Sequence, residues 1–206
     1  MMGRTLFIDP GRCIGCQACV AGCRECDSHR GKSMIHLDYL EETHTVASMP
    51  TVCMHCEDPV APCAQVCPAE AIVVTADGVV QDADKSRCIG CGNCVDACPF
   101  GVPKIDLAAK LQYKCNLCYD RTSEGLAPMC ATVCPTGALF YGTIDELLAE
   151  RPNADVTNLF DFAGTTVSTG VGMVVPRDRG GVPVPGVAEP LGRYPGTTDN
   201  VLGEVL

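Results

Sequence analysis

The chain has 206 residues, a formal net charge of -10, 5% aromatic residues, no Trp and 17 cysteines. Its basic residues form no Lys/Arg-rich run, which argues against a nucleic-acid partner. No stretch of about 18 apolar residues suits a membrane span, and so few aromatic residues leave a thin core that bound metal has to supplement.

Thr5 to Asp9 alternates and turns at Pro10-Gly11, predicting a short strand before the first cysteine motif, Cys13, Cys16, Cys19 and Cys23. Met34 to Leu40 and Thr45 to Val46 flank Glu41-Glu42 as a hairpin. The second motif is Cys53, Cys56, Cys63 and Cys67. Ala71 to Thr75 and Val79 to Gln81 flank Ala76-Asp77-Gly78, a strong hairpin signal. The third motif is Cys88, Cys91, Cys94 and Cys98, and Lys104 to Lys114 reads as another hairpin. The fourth motif is Cys115, Cys118, Cys130 and Cys134, followed by a strand over Ala138 to Tyr141. Thr143-Ile144-Asp145-Glu146 fits a capping box and Pro152 stops the helix it opens. β-Branched residues gather around Thr165 to Thr169. Pro176 to Leu206 holds five Pro and six Gly and no Cys. It cannot build a core. It is either a disordered tail or an extended arm lying on a partner, and the apolar anchors Val182, Val184, Val187, Leu191 and Tyr194 favour the arm.

Sixteen of the 17 cysteines thus fall into four quartets, and the last Cys of three quartets precedes Pro. C-x2-C-x2-C-x3-C followed by Pro is the signature of a [4Fe–4S] site, so four clusters are expected. Three cysteines wrap one cluster. The fourth lies one helical turn on, faces away and ligates the other cluster of a pair. Disulfides suit short secreted chains, and zinc ribbons need no third Cys at this spacing.

The motifs must pair. Spacing alone allows one with two and three with four, or a nested arrangement. The run from Cys53 to Cys98 (motif, Cys-Pro, strand, Asp-Gly turn, strand, motif) reads as a contiguous two-cluster unit, leaving motifs one and four to pair around it. The resulting sets are Cys13, Cys16, Cys19 and Cys134; Cys23, Cys115, Cys118 and Cys130; Cys53, Cys56, Cys63 and Cys98; and Cys67, Cys88, Cys91 and Cys94. A repeat supports a shared unit: Val66-Cys67-Pro68 and Val133-Cys134-Pro135 are each followed by x-x-Ala and an apolar residue. The expected fold class is α+β: two nested bacterial-ferredoxin-like dicluster modules of short strands and helices, with an extended C-terminal arm. The outer module is 1–45 plus 108–145, the inserted module 46–107, and 146–206 holds a short helix and the arm.

Other residues have milder readings. Cys26 is a buried free thiol rather than a substitute for Cys23. His55 is a hydrogen-bonding neighbour rather than a ligand, because every ligand position already has Cys. Arg12, Arg87 and Lys114 each precede the first Cys of a motif and either raise cluster potentials or are solvated charges. Gly15 and Gly90 let backbone N–H groups approach sulfide. His29, His36 and His44 have no evident partner. No nucleophile–base pair and no phosphate loop appears, so no catalytic residue is assigned.

Cys53-Met54-His55-Cys56-Glu57-Asp58-Pro59, Arg87-Cys88-Ile89-Gly90-Cys91, Cys98-Pro99-Phe100-Gly101-Val102-Pro103 and Lys114-Cys115-Asn116-Leu117-Cys118-Tyr119-Asp120-Arg121 carry a family resemblance. Over about residues 5 to 142 the chain resembles the four-cluster, ferredoxin-like β-type subunits of molybdopterin oxidoreductases. The resemblance implies the nested pairing, a catalytic partner with a molybdenum or tungsten pterin, and a membrane anchor subunit linked to quinone. Formate dehydrogenase leads among parent enzymes, with sulfur-compound or dimethyl sulfoxide reductases close behind. The alternatives are a subunit of a nickel–iron hydrogenase and a free soluble polyferredoxin. Cys23 departs from the pattern in preceding Arg24 instead of Pro. The gap from Cys56 to Cys63 is long enough for 57–62 to bulge toward a partner. The first residues show no apolar export signal, so the expected location is the cytoplasmic face of a membrane through partners, or export on a partner.

Overall fold

The computed structural model describes residues 3–42, 45–162 and 164–175. It is a mixed fold of short strands and helices, consistent with a ferredoxin-like architecture. The expected arm, 176–206 with Val182, Val184, Val187, Leu191 and Tyr194, lies outside the described residues, as does His44.

Leu6, Phe7 and Ile8 are buried in succession, so strand β1 (Thr5–Ile8) has no solvent face. The helix that follows the first cysteine loop, α1 (Ala18–Arg24), carries both Cys19 and Cys23, one turn apart. Strands β2 (His36–Glu42) and β3 (Thr45–Thr51) pair antiparallel as the expected hairpin. Strand β4 (Cys56–Asp58) leads into helix α2 (Pro62–Gln65), which Pro62 can open because no N–H is needed there. The Asp-Gly segment makes the expected turn at Gly78 (φ 86°). Its flanks pair only at Val74 and Val80, too briefly to form two strands. Helix α3 (Asn93–Asp96) follows, then the hairpin of β5 (Lys104–Asp106) and β6 (Leu111–Tyr113). Two single-turn helices, α4 (Tyr119–Thr122) and α5 (Met129–Thr132), frame the fourth motif. Strand β7 (Leu139–Gly142) and helix α6 (Ile144–Glu150) come next, the helix closed by both hydrogen bonds of the Thr143–Glu146 capping box.

The last two strands differ from expectation. The sequence pattern suggests only a helix and an arm over 146–206. Here β8 (Val156–Phe162) and β9 (Thr165–Val174) instead complete the main sheet. β9 pairs antiparallel with β8, parallel with β1 (Phe7 opposite Gly172) and antiparallel with β4 (Cys56 opposite Thr169). β7 closes the far side of β1, Thr5 opposite Gly142. Gly170 and Gly172 weaken the strand pattern, but a Cβ on Gly172 would meet the Phe7 ring at 2.6 Å. Glycine is there for close packing, at the cost of legibility.

β9 therefore ties the flanks of motifs one and four, on β1 and β7, to motif two on β4. Two further bonds hold it to the second motif: Gly170 N–H donates to His55 O (2.9 Å) and Val171 N–H to Met54 O (3.2 Å). Phe100, just past Cys98-Pro99, packs edge-on against Phe160 and Phe162 of β8, at 5.3 and 5.0 Å. The long gap after Cys56 is thus anchored to the sheet at its start, with Val60 half-exposed at its tip.

Candidate metal centres

The chain brings cysteines together in fours. Cys13, Cys16, Cys19 and Cys134 line one pocket. Cys53, Cys56, Cys63 and Cys98 line a second. Cys67, Cys88, Cys91 and Cys94 line a third. The other three of the remaining four, Cys23, Cys115 and Cys118, stand near Cys130. Burial, followed by the charges of Cys115, Cys118 and Cys23, pushes the Cys130 thiol far up. Among the described residues no three Cys, His, Asp or Glu converge on one ion position. The thiols stand around spaces suited to a polynuclear cluster.

The polar surroundings fit such a group. Thiolate sulfur is a weak but real acceptor, and amide donors aim at it here: Met34 N–H at Cys23 Sγ (3.2 Å), Ala71 N–H at Cys67 (3.3 Å), Leu117 N–H at Cys115 (3.3 Å) and Gln112 N–H at Cys88 (3.4 Å). Ser48 Oγ donates to Cys13 Sγ at 3.2 Å. Two buried donors beside the cavities, His55 Nε2 and Gln112 Nε2, have no hydrogen-bond partner among the described residues. A buried orphan is costly. A sulfide-rich group in the adjoining cavities would satisfy both.

Each C-x-x-C loop uses one backbone device. Its third residue has positive φ: Gly15 67°, His55 50°, Gly90 65° and Leu117 60°. This bends the loop so that its two thiols and its amides face inward. In two loops glycine takes the conformation freely, whereas His55 and Leu117 adopt it at a cost of about 1–2 kcal/mol.

The basic residues before the motifs have separate fates. Arg12 and Arg87 are about half exposed, at 47% and 46% of their side chains. Lys114 is buried. Its Nζ donates to Val80 O (2.6 Å), Cys115 O (2.9 Å) and Cys53 Sγ (3.6 Å). Burial pushes the Cys53 thiol up, but His55 and Lys114 beside it prevail and bring it to about 6. Burial pushes Cys94 and Cys98, which lack such neighbours, up to about 12. Val80 N–H donates to His55 Nδ1 (3.0 Å). That bond needs a lone pair at Nδ1, which leaves Nε2 to carry the ring proton.

Cys26 is buried, with its Sγ 3.4 Å from Cys118 Sγ. His29 acquires a partner, its Nε2 lying 2.9 Å from Cys23 Sγ, while His36 faces Asp38 at 3.6 Å. Sequence reasoning missed Gln112, Ser48 and His29 as neighbours of the thiols. None carries a spacing signal, and each is delivered by tertiary packing. Only Gln112 could have been suspected, since it lies two residues before Lys114.

Comparison with known proteins adds the decisive observation. Residues 44–144 match the 4Fe-4S dicluster domain family. The thiosulfate reductase electron transfer subunit PhsB of Salmonella typhi is 41% identical over 155 residues, covering 71% of this chain and 79% of that protein. This chain belongs to the iron–sulfur electron-transfer subunits of molybdopterin oxidoreductases. A subunit of the anaerobic dimethyl sulfoxide reductase of Escherichia coli (strain K12) is 37% identical over 154 residues, 68% of this chain and 74% of its own length. The formate dehydrogenase-O iron-sulfur subunit of the same organism is 36% identical over 191 residues, 81% of this chain. The chain spans only 63% of the length of that formate dehydrogenase relative. Its family and its motifs give it [4Fe–4S] clusters as cofactors, four by the motifs. Among the described residues no helix is long and apolar enough to cross a membrane.

Proposed function

We propose that this chain relays single electrons through four clusters in one line, between a molybdopterin catalytic subunit and a quinone-linked membrane subunit or other acceptor. Formate dehydrogenase is the preferred parent enzyme, followed by a sulfur-compound or dimethyl sulfoxide reductase. The proposed ligand sets are the four cysteine groups that face one another, in two nested modules, 1–45 with 108–145 and 46–107. A [4Fe–4S] cluster supplies one-electron chemistry at a potential set by hydrogen bonding, charge and exposure. What the protein contributes is order and insulation.

The observation that carries the reading is the succession of neighbours. Cys130 feels the charge of Cys19, so the first two sets adjoin. His55 faces both Cys53 and Cys115, so the second adjoins the third. Cys94 feels Cys63, so the third adjoins the fourth. The two ends are open: Cys16 and Cys91 are exposed, beside Ile14 and Ile89 at 66% and 64% exposure. An apolar rim around an exposed cluster loop suits docking of a redox partner. The nested modules are supported by β1 pairing with β7, by Gly22 of α1 lying against Val133 after α5, and by the Asn93 amide reaching Val66 O (3.5 Å) between α3 and α2.

The test is anaerobic purification of the tagged chain from its own host, with iron, molybdenum, tungsten and nickel measured beside the copurifying subunits. About 16 irons with molybdenum or tungsten and a large partner are expected. Nickel would move the chain to a hydrogenase, and migration as a lone ~22 kDa protein would leave a free polyferredoxin.

A further inference from the structure

We propose that Lys114 and His55 form a built junction between the two inner clusters, a fixed cation and an oriented N–H donor that make the cluster of the Cys53 cavity easier to reduce than its module partner in the Cys67 cavity. The inference rests on the four-cluster reading above and assigns positioning roles to two residues that ligate nothing.

Lys114 is 2% exposed and His55 3%. An ammonium has three N–H donors, and Lys114 Nζ has three acceptors: Val80 O, Cys115 O and Cys53 Sγ. A neutral amine would leave one acceptor without a proton, so the bonding pattern itself specifies the charge. The same Nζ thus bonds a sulfur of the third set and the carbonyl of a cysteine of the second. It spans the wall between them.

His55 approaches the wall from the opposite chain segment. Val80 N–H fixes Nδ1 as acceptor. That leaves the ring proton on Nε2, which is buried and faces the Cys53 and Cys115 thiols. The strained φ of 50° is what turns the ring there. Two donors, one charged, therefore converge where the two modules meet.

The Cys67 cavity provides the contrast. Its corresponding buried side chain is Gln112, a neutral amide of β6 two residues before Lys114. Reduction adds one electron and hence one negative charge to a cluster, with no bond made or broken. A fixed cation stabilises that extra charge more than an amide dipole does, and burial leaves little solvent to screen it.

The test is an EPR-monitored redox titration of the purified complex with wild-type chain and with Lys114→Met. The expected result is a shift in one cluster's reduction equilibrium toward the oxidised form by about tenfold, about 59 mV for one electron. A smaller shift of one neighbour is expected, with the two end clusters unmoved. Arg87→Met, removing an exposed cation beside Cys88, should move none. Unchanged potentials at full iron content, equal movement of all four clusters, or an equal effect of Arg87→Met would each overturn the proposal. Should Lys114→Met lose iron, Lys114→Arg decides: native iron and potentials support the role of charge, and iron loss there too assigns Lys114 to packing and overturns it. A wild-type complex with fewer than four titrating clusters would instead sink the four-cluster reading itself.

Discussion

The two end sites and the two inner sites are built from one loop plan with opposite surfaces. Both end loops read Cys-Ile-Gly-Cys, place glycine at the positive-φ position, and expose a ligand cysteine and an isoleucine. The inner loops read Cys-Met-His-Cys and Cys-Asn-Leu-Cys. They put buried His55 and Leu117 at the strained position, and the sheet and Lys114 cover them. Glycine would have been easier there. The strain is tolerated because the side chain is needed, as a donor in one loop and an apolar seal in the other. In the proposed line of clusters the ends are open for partners and the middle is closed against water.

The sharpest way to break this comparison is to exchange ligands between an end and its inner neighbour. Cys134→Ser, though in motif four, should abolish the EPR signal of the end cluster held by Cys13. Cys23→Ser, in motif one, should abolish that of the inner cluster held by Cys115. The reverse outcome would replace the crossed sets with uncrossed ones.

The two glycines separate next. At Gly90 an added Cβ would run into the Lys110 backbone carbonyl while forced to φ 65°. At Gly15 it would meet only the Tyr39 and Ser48 side chains, at 3.2 and 3.3 Å. Side chains can yield where backbone cannot. Gly90→Ala should cost about 3 kcal/mol and lose the iron of its cluster, while Gly15→Ala should cost about 1–2 kcal/mol and keep it. Iron per chain after anaerobic purification separates the two.

Much of this is legible without the fold. Cysteine spacing is rigid chemistry, so all four quartets can be read, and Pro10-Gly11, the Thr143 capping box and the Lys104 to Lys114 hairpin carry local signals. The function of β9 is not legible. Its glycines serve contacts with Phe7 and His55 that exist only once the sheet is formed. Nor can sequence divide Lys114 from Arg12 and Arg87, since all three occupy the same place before a motif. Burial alone distinguishes them.

A milder probe is exposure to limited oxidant or chelator. Cys16 and Cys91 are exposed, whereas Cys23, Cys118 and Cys130 of one inner set and Cys53 and Cys63 of the other are buried. The end clusters should therefore decay several-fold faster than the inner ones. Simultaneous loss of all four EPR signals would erase the distinction between open ends and closed middle.

A last probe tests the seal itself. Leu117→Gly would release the left-handed strain, a gain of about 1–2 kcal/mol. It would also expose a leucine site now 7% accessible, a loss of about 2–3 kcal/mol, and add glycine's extra unfolded-state entropy of about 0.5–1 kcal/mol. Burial and entropy together win, so stability should fall by about 2 kcal/mol in a denaturant titration. The protection of the neighbouring cluster should fall further, because water gains entry to the Cys115 site. A variant that became more stable while its inner cluster decayed at the native rate would mean that Leu117 seals nothing, and that its positive φ is strain without a role.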